Sequence, residues 1–127
     1  MIRILGFAFP NSEDAIDRNM LHSHVNINIP AYDVDFPMMI SIVDVEKFLT
    51  SIKLMYESMR GGAIFSNRDA TIQIKGEINK LGQIEWYGET CYPAGIGAML
   101  TFEFTSDQSY LERLMKEIEM IIATYDV

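Results

Sequence analysis

Cysteine, proline and tryptophan are scarce in this sequence, and long hydrophobic runs are missing. The one cysteine, Cys91, cannot form an internal disulfide, which is typical of proteins in a reducing cytoplasm. No uninterrupted apolar run approaches the roughly 18 residues that a membrane span requires. Residues 1–10 include a short apolar run, but they alternate like a strand and lack a convincing signal-peptide cleavage site. We therefore expect a cytoplasmic protein without a membrane partner.

Basic residues are also in short supply. The chain has 18 acidic residues against 10 Lys and Arg, which gives a formal net charge of −8. Phosphate binding needs clustered Lys and Arg, so the composition argues against nucleic acid as a direct ligand. Residues 11–35 and residues 77–107 each hold five acidic residues and a single basic one. Solubility is the plainest explanation of this charge, and a basic protein partner is the functional explanation.

The length and the hydrophobic fraction favour one packed domain over residues 1–127. The chain has 127 residues, of which 49% are hydrophobic. A chain of this length buries roughly two-thirds of the surface that its unfolded form exposes. We expect an ordinary core, with no linker and no internal repeat.

Apolar periodicity predicts the secondary structure. Helical spacing predicts helices over residues 44–60 and 107–124, and alternation predicts strands over residues 2–9, 21–29, 32–42, 70–78, 83–92 and 97–105. Residues 63–66 show little alternation and are interpreted as a lead-in to the next strand. Pro37 cannot donate to a ladder, so we expect the third strand either to lie at a sheet edge or to begin near this residue. The order strands, helix, strands, helix indicates an α+β fold. In this two-layer fold, two helices pack on one face of an antiparallel sheet and leave the other face exposed to solvent.

Each predicted helix has residues that can cap it. Asp44 is the expected N-cap of the first helix, and Gly61 follows its end. Ser106 or Asp107 can accept the first backbone N–H bonds of the second helix. A catalytic interpretation of this polar segment would need a base, and no histidine or cysteine is nearby in sequence. We therefore interpret the segment as a helix cap.

The sequence "INKLGQI" predicts a β-hairpin with a defined register. If Lys80–Gly82 form a three-residue loop with Gly82 left-handed, Asn79 pairs with Gln83. Counting back along the strands then places Glu77 opposite Glu85. Like charges in this position cost a few tenths of a kcal/mol, roughly. A basic partner would relieve that cost.

Candidate metal ligands and nucleophiles are few. His22 and His24 lie two residues apart on one strand face and could provide two metal ligands, with acidic residues from 11–17 or 33–35 as the others. Solvated side chains are the simpler interpretation. Cys91 lacks a neighbouring base, and Glu89 is its nearest charged residue, so a packing role is favoured. We predict no catalytic residue, no metal, no cofactor and no enzymatic activity.

Three stretches of the sequence resemble a known family. They cover residues 45–67, 70–89 and 100–118, and the most recognisable is F-x-F-x-x-D-Q-S-Y-L, here Phe102–Leu111. Together they resemble the WapI-type family of bacterial immunity proteins over residues 36–122, whereas residues 1–35 match only loosely. The matching positions Gly61, Gly82, Asp107, Gln108 and Tyr110 support turns and the last helix, and the resemblance transfers no catalytic residue.

The resemblance implies neutralisation of a toxin by binding. Proteins of this family are small and cytoplasmic, and they are encoded beside polymorphic or contact-dependent growth inhibition toxins. They bind the C-terminal toxin domain, often a nuclease, of their own cell's delivery system. An acidic surface would complement a basic nuclease. The candidate toxin-binding residues are Asp33, Asp35, Glu77, Glu85, Glu89 and Glu103.

Two other functions stay open at this stage. A non-catalytic domain could bind a small molecule or assemble with other chains through the exposed sheet face, which a formed apolar pocket or stable homo-oligomers would indicate. An enzyme is the third hypothesis, and a metal held by His22 and His24 with nearby acidic residues would support it.

Overall fold

The computed structural model describes residues 2–125 of the chain. Its elements, in chain order, are β1 Ile2–Phe7, α1 Ala15–Arg18, β2 Met20–Ile29, β3 Tyr32–Ser41, α2 Ile42–Ser58, β4 Gly62–Ser66, β5 Ile72–Ile78, β6 Ile84–Tyr92, β7 Ala98–Ser106 and α3 Gln108–Tyr125. This confirms the predicted α+β class and the two long helices. None of the helices in this range is both long and apolar enough to cross a membrane.

The strands divide into two antiparallel sheets instead of the single sheet expected from the sequence. The first sheet has the order β1-β2-β3, and the second has the order β4-β5-β6-β7. Pro37 lies in β3, an edge strand, as predicted. The second sheet begins only after α2, which follows β3 directly. Alternation in a sequence shows which strand face is buried but not which strands pair, and this explains the difference.

Side chains connect the two sheets and the helices in one core. Phe36 of β3 stacks on Tyr92 of β6 with ring centroids 5.0 Å apart. Phe7 of β1 contacts Tyr125 of α3 edge to face, with centroids 5.5 Å apart. The buried apolar side chains of both sheets and of α2 and α3 form a single cluster.

Helix α2 begins two residues earlier than the pattern predicted. Ser41 is its N-cap, and its Oγ accepts a hydrogen bond from the backbone N–H of Val43 at 3.2 Å. Asp44, the expected cap, lies instead in the first turn, where a carboxylate also stabilises a helix. The helix ends at Met59, which is left-handed with φ of 57°.

Helix α3 is capped by Asp107, as predicted. Its Oδ1 accepts hydrogen bonds from the backbone N–H groups of Ser109 at 3.0 Å and Tyr110 at 3.3 Å. The Ser109 hydroxyl donates to the same oxygen at 2.6 Å. These bonds, led by that from the Ser109 hydroxyl, lower the pKa of Asp107. Ser106 instead accepts a hydrogen bond from the Trp86 indole at 2.9 Å.

Helices α2 and α3 pack against each other. Lys53 of α2 forms an ion pair with Glu119 of α3 at 3.3 Å. One turn further along α2, the Tyr56 hydroxyl donates a hydrogen bond to Glu112. These polar contacts lie beside the apolar face of α2, which is buried along its length at Val45, Phe48, Leu49, Ile52 and Met55.

Candidate functional site on the four-stranded sheet

The hairpin between β5 and β6 has the register predicted from the sequence. The Asn79 N–H donates to the carbonyl of Gln83 at 2.9 Å, and Gly82 is left-handed with φ of 78°. The Asn79 side chain stabilises the turn, because its Oδ1 accepts hydrogen bonds from the backbone N–H groups of Leu81 and Gln83. Glu77 consequently lies directly opposite Glu85.

One face of the second sheet is polar and points away from the core. Period-2 alternation on β5, β6 and β7 places four of the six candidate glutamates and aspartates on this face. We call it the acidic face and define it by Lys75, Glu77, Glu85, Tyr87, Glu89 and Glu103. Lys75 is the single basic residue of this set. All of these side chains are exposed except that of Glu89, which is partly buried.

Tyr87 occupies the centre of the acidic face. It lies between Lys75 of β5 and Glu103 of β7 in one cross-strand row. Glu103 is also a diagonal neighbour of Glu85 and Glu89, because these flank Tyr87 on β6. The Tyr87 hydroxyl donates a hydrogen bond to Glu89 at 3.1 Å. This bond, partial burial and the negative charges of Glu89 and Glu103 together raise the pKa of Tyr87.

An apolar rim closes one end of the acidic face. The next cross-strand pair beyond Glu89 is Cys91 and Met99, and Met99 is 60% exposed. The loop over residues 93–97 follows, and its Ile96 is 86% exposed. The Cys91 thiol is partly buried and donates to the backbone carbonyls of Pro93 and Gly97 at 3.7 and 3.6 Å. A packing role for Cys91 agrees with these contacts.

The two candidate aspartates lie elsewhere, on β3 of the three-stranded sheet. The Asp35 carboxylate contacts the imidazole of His24, and Asp33 accepts a hydrogen bond from the Asn26 amide at 3.2 Å. His22 lies opposite Met39 in the same sheet. Over residues 2–125, no group of three or more His, Cys, Asp or Glu side chains is arranged to hold a metal ion.

A second feature, a cavity of about 520 Å³, lies between the inner faces of the two sheets and the long helices. Its walls combine strands from both sheets with residues of α2 and α3. No sequence pattern predicted this cavity, although a formed apolar pocket is the expected sign of a ligand-binding domain. The cavity depends on how the two sheets are placed, and no local sequence pattern encodes that placement.

The chain matches one family along nearly its whole length. The family is described as the immunity protein WapI-like family, and the match covers residues 1–126. The chain belongs to the WapI-like immunity protein family. Residues 1–35, which resembled the family only loosely in sequence, are part of the match. No curated protein and no solved structure matches the chain significantly.

Membership in the WapI-like family bears on the acidic face. It indicates an immunity protein, a protein that protects a cell from a toxin, and it implies a cognate toxin as the partner. A protein of this kind needs a surface that recognises another protein. An exposed aromatic side chain with polar groups at its periphery resembles the aromatic centre and polar rim of such surfaces.

Proposed function

We propose that this immunity protein binds the C-terminal domain of its cognate toxin through the acidic face and neutralises it in a tight one-to-one complex. The observation that supports this most directly is the clustering of four glutamates around one exposed tyrosine. Glutamates are generally depleted from the centre of protein interfaces, whereas tyrosine is enriched. Tyr87 is therefore the anchor in this proposal, and the carboxylates select a basic partner.

A basic nuclease domain is the partner that this surface suits best. Nucleases bind phosphate groups with Lys and Arg, and carboxylates on a rigid sheet can occupy the positions that phosphates would take. Opposite charges also accelerate association, because they steer the two proteins together before contact. The proposed inhibition is therefore a blockade of the toxin's nucleic-acid site.

The proposal requires binding alone. For this role the chain needs no catalytic residue, metal or cofactor. It would act as a single domain over residues 1–127. The protein would act in the cytoplasm, where a nuclease meets its substrates. The neighbouring Met99 and Ile96, both strongly exposed, extend the acidic face with apolar area that a partner would bury.

Isothermal calorimetry with the C-terminal domain of the cognate toxin tests the proposal. The test variant is Glu77→Lys/Glu103→Lys, which reverses two charges on the acidic face. The matched control is Asp33→Lys/Asp35→Lys, which reverses two charges on the other sheet. We expect one-to-one binding by the unaltered protein, and a loss of about tenfold or more in affinity in the test variant.

Each outcome has a defined meaning. Full affinity in Glu77→Lys/Glu103→Lys would overturn the acidic face as the binding surface. An equal loss of toxin affinity in the control variant would show either that Asp33 and Asp35 also contact the toxin or that the effect comes from the total charge. In both cases the acidic face would not be the specific binding surface. Self-association of the purified protein that buries the acidic face, detected by analytical ultracentrifugation, would favour an assembly domain instead.

A further inference from the structure

We infer that the cavity between the two sheets binds an apolar small molecule that carries a positively charged head group. The cavity has a volume of about 520 Å³. Protein interiors contain few voids larger than a water molecule, whereas ligand pockets usually measure about 300–1,000 Å³. The size is therefore within the range of ligand pockets. This inference is independent of the acidic face.

The deep part of the cavity is apolar. Its lining includes Ile72, Trp86 and Ile118, whose side chains are 1%, 3% and 6% exposed. The indole N–H of Trp86 already donates to Ser106, so it is not available to a ligand. Burial of apolar ligand groups against such residues is favourable. A hydrocarbon chain or ring system suits this part of the cavity.

Polar side chains lie only toward the rim. Asn28 and Glu117 line the cavity and are exposed, and Tyr110 lines it and is partly buried. The other lining residues are all aliphatic or aromatic. Polarity thus increases from the buried floor to the solvent, and a ligand would place its apolar part inside and its head group at the rim.

Glu117 sets the preferred charge of that head group. Burial raises the pKa of Tyr110, and the negative charge of Glu117 raises it further. Arg113 acts in the opposite direction and lies over the Tyr110 ring, with its guanidinium carbon 5.8 Å from the centroid. Of these two charged residues, only Glu117 lines the cavity. An ammonium group at the rim would therefore be preferred over a carboxylate or a neutral hydroxyl.

Decylamine, decanol and decanoic acid form a matched series of probes, used below the concentrations at which they form micelles. Trp86 is the single tryptophan of the chain, and its fluorescence reports directly on occupancy of the cavity. We expect saturable one-to-one binding of decylamine with a change in Trp86 emission, confirmed by calorimetry. Binding of decanol and decanoic acid should be weaker. Absence of saturable decylamine binding would overturn the inference.

Two variants with the same substitution localise the binding. Leu114→Phe adds volume to the cavity wall, whereas Leu54→Phe lies on α2, is 61% exposed and does not line the cavity. We expect decylamine affinity to fall about tenfold or more in Leu114→Phe and to stay unchanged in Leu54→Phe. Equal decylamine affinities of Leu114→Phe and Leu54→Phe would show that decylamine binds outside the cavity. If thermal unfolding shows that Leu114→Phe is not folded, Ile27→Phe on β2 provides the same test from the opposite wall.

Glu117→Gln tests the head group separately. It should remove the preference for decylamine over decanol and leave decanol binding unchanged. An unchanged preference would overturn the role of Glu117. Leu114→Phe should bind the toxin domain with the same affinity as the unaltered protein. Decylamine binding therefore tests the cavity, and toxin binding tests the acidic face, so that either hypothesis can fail without the other.

Discussion

Glu77 on β5 lies directly opposite Glu85 on β6, and both side chains are on the solvent-exposed face of the sheet. Opposed like charges in an antiparallel ladder are destabilising. The amide of Asn79 donates a hydrogen bond to Glu85 at 3.2 Å, which compensates only one of the two carboxylates. The isolated chain therefore keeps an unfavourable pair that a basic partner would relieve.

The Glu77–Glu85 pair can be tested by reversing one charge. Glu77→Lys should increase the free energy of unfolding by about 0.2–1 kcal/mol, because repulsion across the ladder becomes attraction. Urea denaturation measures this change. Glu13→Lys is the control, since it makes the same change in net charge at an exposed position outside both sheets. An equal gain in both variants would assign the effect to net charge and not to the pair.

Close packing of Phe102 on Gly88 gives a second prediction. A Cβ atom at Gly88 would lie 2.1 Å from the Phe102 ring. Gly88→Ala should therefore destabilise the protein by about 1–3 kcal/mol, as overpacking does. Denaturation of Gly88→Ala/Phe102→Leu, compared with each single variant, completes a double-mutant cycle. Additive effects in this cycle would contradict a direct contact as the cause.

The hairpin shows how much of the candidate site could be predicted from sequence. A left-handed Gly82 fixed the loop, the loop fixed the register, and the two-residue period then placed Glu77, Glu85 and Glu89 on one face. Every step depended on residues close together in the chain. The same is true of Asp107, whose cap bonds reach only two and three residues ahead.

Features that depend on distant contacts could not be predicted in this way. Pro37 indicated that β3 is an edge strand, but the sequence pattern gave no reason to place β3 and β4 in different sheets. Asp33 and Asp35 were therefore predicted to bind the toxin together with the four glutamates, although they lie on another sheet. The cavity was missed for the same reason. At the start of α2, two residues could serve as the cap, and the pattern favoured Asp44 over the actual cap, Ser41.

The cap of α3 gives stability a defined pH dependence. Hydrogen bonds to its carboxylate lower the pKa of Asp107 below its usual value near 3.8. Because the folded-state pKa is depressed, the stabilisation is complete above the unfolded-state pKa and is lost as the pH falls through the folded-state value. The urea midpoint should consequently fall more steeply in the unaltered protein than in Asp107→Asn as the pH decreases below the usual carboxyl value near 3.8. Parallel curves of urea midpoint against pH for the two proteins would show that the Asp107 cap does not cause the pH dependence.

Electrostatic attraction predicts how binding responds to salt. The association rate with the toxin domain should fall as the ionic strength rises, because salt screens charges on exposed surfaces. Stopped-flow fluorescence measures this rate. The slope against ionic strength should be smaller in Glu77→Lys/Glu103→Lys than in the unaltered protein. Identical slopes would show that these carboxylates do not steer the encounter.

Tyr87 provides the sharpest test of the acidic face, because it can be altered without changing the charge. Tyrosine side chains at the centre of an interface often contribute strongly to affinity. Tyr87→Ala should therefore reduce affinity for the toxin domain by about tenfold or more, mainly through faster dissociation. Tyr87 is 37% exposed and does not belong to the buried core cluster, so the fold should be kept.

Two further variants distinguish the contribution of the Tyr87 ring from that of its hydroxyl and from the effect of removing any exposed tyrosine. Tyr87→Phe removes the hydrogen bond to Glu89 but keeps the aromatic surface, so most of the affinity should remain. Tyr32→Ala, on β3 and 63% exposed in the unaltered protein, removes an exposed tyrosine from the other sheet. Surface plasmon resonance should show nearly normal binding for both. Normal binding by Tyr87→Ala as well would show that the interface lies outside the acidic face. A loss of affinity in Tyr87→Ala alone would identify the Tyr87 ring as the anchor between the four glutamates.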